Sequence, residues 1–383
     1  LTPQRSPFDV IVVGGGVIGL AVAWRAAERG LDVVVLERLQ LGGGASWVAA
    51  GMLAPVTEAR LTELPLLELG VASAAAYPAF VDELRAKTDI DTGYRRCGTL
   101  VVARDSDDAE ALQRELEVRL RLGLAVRRLR PSQARSLEPA LAPTVRLALE
   151  VGDDHAVDPQ RVTEALASAA RDAGATVQTG MEVEELTRTG SRVTGAILAG
   201  GERLEAEHVV IAGGAWTSRI GGLPEDARVP VHPVKGQLMH LHDPAGPGLL
   251  ARVLRFGSAY LVSRGDGRYV LGATMEERGF DTSVTAGAVF ELLRDVIELA
   301  PGASELVVDE LIAGLRPATP DGLPAIGPGD LEGLHWAVGH YRNGILLAPI
   351  TAEIVMAGLE GGEVPDFAGP FAPSRFHTVS VGS

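Results

Sequence analysis

The apolar positions of this chain fall into two contrasting patterns. FDVIVV, residues 8–13, is an almost unbroken β-branched run, as expected of a parallel strand buried on both faces. Glycines follow it, and residues 18–30 read as a helix closed by Gly30. A valine-rich second strand is expected over 32–36, which completes a βαβ unit. The same grammar returns downstream. Asp158-Pro159 makes an N-cap and first helical residue, and Val162, Ala165, Leu166, Ala169 and Ala170 form one face up to Gly174. Strand and turn are expected over 176–179 and 181–186, and HVVIA (208–212) is a further buried strand ending in Gly213-Gly214.

Between these blocks the pattern changes to short strand-like segments at 99–104, 145–151, 237–242, 252–256, 260–263 and 269–273. Turn signals such as Arg264-Gly265-Asp266-Gly267 separate them, which points to an antiparallel sheet. Val289, Leu292, Leu293, Val296 and Ile297 mark one amphipathic helix inserted there. Near the end, 311–315 and 334–338 read as strands, and a helix follows the second. The resulting fold class is α/β: a doubly wound, Rossmann-like domain (1–86, 150–230 and 311–383) interleaved with an antiparallel-sheet domain (87–149 and 231–310). From about residue 370 the chain reads as a loose tail.

One position breaks the pattern. In VGHYRNGILLAP, 338–349, Arg342 lies among apolar neighbours. A buried guanidinium is costly unless it meets an anion, so an inward-facing anion is expected near it.

The net charge of −15 disfavours nucleic acid and anionic membrane surfaces as partners. The apolar run at 10–24 is broken by four glycines and is too short to span a bilayer. A single cysteine, Cys97, rules out an internal disulfide or a cysteine-based metal cluster and suits a reduced, cytoplasmic setting. His155, His232 and His240 have no metal-binding spacing, so no metal site is expected.

The chemistry starts at Gly14, Gly16 and Gly19, a G-x-G-x-x-G between strand and helix. Gly14 permits the turn, Gly16 lets a pyrophosphate approach the backbone, and Gly19 packs helix on strand. The helix N-terminus favours an anion. Glu37, ending the second strand, can accept hydrogen bonds from ribose hydroxyls. A dinucleotide is therefore expected. FAD is favoured over NAD because a second small-residue turn, GGGASWVAAGMLAP (42–55), follows the second strand and would pass close to a large flat cofactor.

Five segments carry a family resemblance: the N-terminal fingerprint, ASWVAAGMLAP, GATM (272–275), GLRPATPDGLPAIG (314–327) and GHYRNGILLAP (339–349). They span nearly the whole chain, which resembles the D-amino acid oxidase family of FAD-dependent amine oxidases, and within it the glycine-oxidising branch of thiamine biosynthesis. The resemblance implies FAD in a doubly wound domain, roofed by an antiparallel sheet. Relatives that attach flavin covalently do so through a cysteine near the segment matching 309–321; none stands there, so noncovalent FAD is expected. Its expected contacts are Gly14, Gly16, Val17, Ile18, Gly19, Glu37, Arg38, Ala45, Ser46, Ala49, Ala50, Gly51, Met52, Val183, Gly213, Gly214 and Trp216. The helix start formed by Gly339, His340, Arg342, Asn343, Gly344, Ile345 and Leu346 is expected to face the flavin pyrimidine.

The resemblance also assigns the substrate side. Arg316 matches the arginine that holds a substrate carboxylate, a task suited to a rigid guanidinium fork; the alternative is an ion pair with Asp321 or Asp309. Tyr260 matches a tyrosine that donates to the same carboxylate, the alternative being a strand tyrosine with its hydroxyl in water. Met275 matches a pocket-lining position, the alternative being plain core packing, and Arg342 is expected to add positive potential on the substrate side. The implied reaction is oxidative deamination of glycine or another small amino acid, with O₂ reduced to hydrogen peroxide, in a homo-oligomer. Two alternatives stand beside it: a D-amino acid dehydrogenase with a non-oxygen acceptor, and a flavin-binding module without turnover.

Overall fold

A computed structural model describes residues 7–58, 63–362 and 365–376. The first sheet runs Ala325–Pro328, Leu334–Val338, Arg203–Ile211, Phe8–Val13, Val33–Glu37, Thr176–Thr179. Neighbours in this order are parallel except the edge pair Ala325–Pro328 and Leu334–Val338, and Arg203–Ile211 also pairs antiparallel with Arg192–Leu198. The continuous apolar runs have a direct cause. Val10, Val12, Val33 and Val35 pack on one face against the helices Val17–Glu28, Pro159–Asp172 and Gly344–Leu359. The alternate residues Ile11, Val13, Val34 and Leu36 pack on the other face, covered by the hairpin Val183–Thr189 and Arg192–Leu198. Both faces are dry, so no polar alternation survives.

The second sheet runs Val307–Ala318, His232–His242, Arg268–Gly272, Ala259–Ser263, Val253–Phe256, Thr99–Ala103, Leu147–Val151, Arg127–Leu129. It is antiparallel except where Val253–Phe256 joins Thr99–Ala103 in parallel. The amphipathic helix Ala286–Leu299 packs Leu292, Val296 and Leu299 on its outer face. Its inner face meets the small-residue turn: Val48 and Ala50 join Leu238, Tyr260, Val262 and Ala273 in one cluster. The approach is close. A Cβ on Gly314 would lie 2.9 Å from the Val48 side chain.

Two expectations change, and one long helix is added. The strand expected over 311–315 runs from Val307 to Ala318 and pairs with His232–His242, so the boundary expected at residue 311 cuts through a strand of the second sheet. The segment expected to be loose beyond residue 370 packs instead: Phe371 is fully buried, and Arg375 pairs with Asp321 at 2.7 Å. Residues 377–383 lie outside the described residues. Helix Leu64–Thr88 had no clear sequence signal, because apolar and small residues run around most of its circumference. By length and composition it could cross a bilayer, but Leu69, Tyr77, Phe80, Val81 and Leu84 pack in the core beside Gly344–Leu359.

Candidate active site

Between the two sheets lies a cavity of about 620 Å³, large enough for a cofactor. Its first end is made of backbone. Gly14 has φ +112°, and a Cβ there would lie 2.4 Å from the Ala212 carbonyl oxygen, so only glycine fits this turn. The turn leads into helix Val17–Glu28, whose Val17 N–H donates to the Ser46 hydroxyl at 3.0 Å. Glu37 accepts from the N–H groups of Gly15 (2.8 Å) and Leu39 (2.9 Å), which locks the carboxylate at the strand end. Arg38 stacks over Trp216 at 4.0 Å, closing the side of the cavity.

Of the expected cofactor contacts, Gly14, Gly16, Val17, Ile18, Glu37, Arg38, Ala45, Ser46, Ala49, Ala50, Gly51, Met52, Val183, Gly213, Gly214, Trp216, His340, Arg342, Asn343, Gly344 and Ile345 all line the cavity. Gly19, Gly339 and Leu346 stand behind its wall. A Cβ on Gly19 would meet the Gly14 carbonyl oxygen at 2.0 Å, so this residue packs helix against strand. Gly339 faces Thr319, and Leu346 is buried with its carbonyl accepting from Ser73 at 2.6 Å.

The second end is made of side chains. Arg316 leaves its strand and lies across Gly236, where a Cβ would come within 2.4 Å of the guanidinium. Its Nη1 donates to the carbonyls of Thr274 (3.1 Å) and Lys235 (3.3 Å). The suggested carboxylate partners are taken elsewhere, Asp321 by Arg375 and Asp309 by His242 at 2.6 Å. Among the described residues, Arg316 has no ion-pair partner. Tyr260 stands beside it in the cavity wall. Burial raises the phenol pKa, and the Arg316 guanidinium pulls it partly back. Met275 lines the mouth and is 48% exposed.

Arg342 lines the cavity and meets an inward-facing anion. Its Nη1 lies 3.5 Å from Glu58, whose other oxygen lies 2.5 Å from Arg255. The anion it meets is therefore a protein carboxylate, and its positive potential is shared rather than free. Glu58 and Arg255 both line the cavity, and neither was singled out in the sequence. Arg255 carried the same signal as Arg342, a guanidinium between apolar residues in VLRF. Glu58 carried none. The turn before it is anchored by Asp154, which is buried and accepts from Val56 N–H (3.1 Å) and Thr57 N–H (2.7 Å). Burial raises the Asp154 carboxyl to about 6 against the pull of those hydrogen bonds.

The loop from Gly339 to Gly344 joins the two ends. Tyr341 takes a left-handed φ of +50°, and its N–H donates to the Pro317 carbonyl (2.8 Å), next to Arg316. Such strain in a non-glycine residue tends to collect at functional sites. Asn343 does not cap helix Gly344–Leu359 with its side chain, so the first N–H groups of that helix open on the cavity. His340 bonds Thr351 at 2.9 Å, and burial holds its pKa down at about 3, so it is a neutral spacer. Cys97 is partly buried and does not line the cavity.

Glycine-built backbone at one end, a lined cavity and a second open helix start at the other fit a dinucleotide with a flat ring system. Comparison with known proteins agrees. The chain is 37% identical over 382 residues to a glycine oxidase of Geobacillus kaustophilus, covering 98% of both chains. It is 35% identical to a bifunctional ThiO/ThiG protein of Synechocystis, covering 98% of this chain but only 55% of that longer one. The crystal structure of Geobacillus kaustophilus glycine oxidase superposes with a TM-score of 0.90 at 35% identity, covering 98% of this chain and 99% of that one. The sequence profile of the FAD dependent oxidoreductase family, DAO, matches residues 9–357, and the chain is a member of that family, with FAD as its cofactor.

Proposed function

We propose that this protein oxidises glycine, or another small amino acid, at its Cα–N bond, and that it serves thiazole formation for thiamine. One observation carries the reading: the Arg316 guanidinium lies beside the Tyr260 phenol in the cavity wall and has no carboxylate partner among the described residues. A rigid donor fork with an adjacent hydroxyl is suited to a substrate carboxylate. The relatives named glycine oxidase and ThiO/ThiG support the substrate and the pathway.

The turn at Gly14–Gly16, Glu37, Ser46 and the start of Gly344–Leu359 would hold FAD noncovalently. FAD supplies the two-electron oxidation and returns the electrons to O₂ as hydrogen peroxide. The chain's own residues position the reaction. Arg316 and Tyr260 fix the carboxylate, Met275 limits the room beside it, and the loop bearing Arg342 closes the wall next to Arg316. Cα–N oxidation gives an imine, which water hydrolyses to glyoxylate and ammonia. Orientation and excluded water are what the protein contributes. A reduced, cytoplasmic setting and a homo-oligomer belong to the same reading. The edge strand Val307–Ala318 supports assembly, exposing Val307, Val308 and Leu311.

Anaerobic mixing of the yellow protein with glycine, sarcosine, D-alanine and D-proline tests the reading. Glycine or another member of the panel should bleach the flavin, and readmitted air should restore it with release of peroxide. Bleaching without reoxidation in air would replace the oxidase by a dehydrogenase. No bleaching by any of the four would remove amine oxidation altogether.

A further inference from the structure

The substrate end of the cavity carries three arginines and one glutamate: Arg255, Arg316, Arg342 and Glu58. Glu58 engages two of the three, with Oε1 at 2.5 Å from Arg255 and Oε2 at 3.5 Å from Arg342. The side chains are 12%, 11% and 20% exposed for Glu58, Arg255 and Arg342, so solvent screens them little. Arg316 is left as the guanidinium of this group without a carboxylate among the described residues. The backbone that carries Glu58 is fixed: its turn, Pro55–Glu58, is fastened to buried Asp154 through the N–H groups of Val56 and Thr57. Its charge is felt within the site, where it opposes ionisation of Tyr260.

We propose that Glu58 is a specificity-determining residue that restricts the cavity to monocarboxylates. By bridging Arg255 and Arg342, Glu58 cancels one of their two positive charges and sets a carboxylate beside both, so Arg316 is the guanidinium of the group with no negative charge next to it among the described residues. A ligand with a second carboxylate would have to place it against the Glu58 charge or pull Glu58 off its two guanidinium partners. Specificity of this kind comes from a built-in repulsive element, which acts strongly where charges are poorly screened. The inference rests on the reading that Arg316 receives the substrate carboxylate.

The test uses the FAD-loaded protein and non-oxidisable ligands, so that binding is read from the flavin spectrum without turnover. Acetate and glycolate are compared with malonate and succinate. The wild-type protein should prefer the monocarboxylates. Glu58→Gln should shift the ratio of dissociation constants toward the dicarboxylates by on the order of tenfold or more, and Glu58→Ala should do the same. Glu58→Asp, which keeps the charge, should retain the wild-type preference. Adding Arg255→Met and Arg342→Met together to Glu58→Gln should abolish the gain. A ratio unmoved in both Glu58→Gln and Glu58→Ala, or a gain that survives loss of both Arg255 and Arg342, would overturn the proposal. Arg316→Ala is the separate control. If acetate binds equally well without Arg316, the carboxylate reading fails, while the effect of Glu58 on malonate remains readable.

Discussion

The two ends of the cavity are built by different means. The dinucleotide end is backbone: a turn at Gly14, a helix start at Val17, the small residues Ala45, Ser46, Ala49, Ala50 and Gly51, and a second pair of glycines at 213 and 214. The substrate end is side chain: Arg316, Tyr260, Arg255, Arg342 and Glu58, drawn from separate strands, a loop and a short turn. A backbone site depends on what a residue leaves out, and any Cβ in the wrong place blocks it. A side-chain site depends on charge balance, which can be edited one group at a time. The first should fail abruptly when altered, and the second by degrees.

The largest expected effect tests the backbone end. Gly14→Val forces a β-branched residue to φ +112° and drives its Cβ toward the Ala212 carbonyl. The purified variant should carry little or no FAD, read as flavin absorbance per protein. Full retention of FAD would break the contrast between the two ends. Next comes the substrate end. Arg316→Ala should keep its FAD and lose roughly 10²-fold or more in kcat/KM for glycine, equivalent to about 3 kcal/mol for a desolvated charge contact. Glycine kinetics unchanged from wild type would remove Arg316 from the site.

The smallest effect concerns the scaffold that both ends share. His335 and His208 sit on neighbouring strands of the first sheet, with Nε2 and Nδ1 3.2 Å apart. Burial, and then the neighbouring ring, hold His335 down at about 4. The unfolded chain therefore binds a proton that the folded protein refuses. The stability this represents is present above pH 6.5 and is lost as pH falls toward 4, by at most roughly 3 kcal/mol. Thermal melts over that window should fall more steeply for wild type than for His335→Gln, with equal glycine activity at neutral pH. Parallel melting curves would show that this histidine is not held neutral.

Legibility followed the same division. Strand Leu334–Val338, helix Pro159–Asp172 with its Asp158 cap, and the first βαβ unit were readable because periodicity, caps and glycines are local signals. Arg316, Tyr260 and Met275 came through motifs that match a family, and the structure gathers them in one wall. Glu58 was missed because nothing in PVTE distinguishes a cavity carboxylate from a surface one. Arg342 was noticed as a guanidinium that should meet an inward-facing anion, but Glu58 could not be named as that anion because it lies far back in the chain. The packed end at Phe371 was missed because an isolated aromatic between prolines resembles a linker.

By itself the sequence determined that this chain would form a doubly wound, FAD-binding domain interleaved with an antiparallel one. Those features follow from local backbone geometry and from apolar period, which neighbouring residues set together. Only the tertiary structure decided how charge is distributed at the substrate end. Arg255 and Arg342 meet Glu58 because two sheets and a turn converge there, and whether a guanidinium is free or paired depends on which distant segment folding brings within a few ångströms of it.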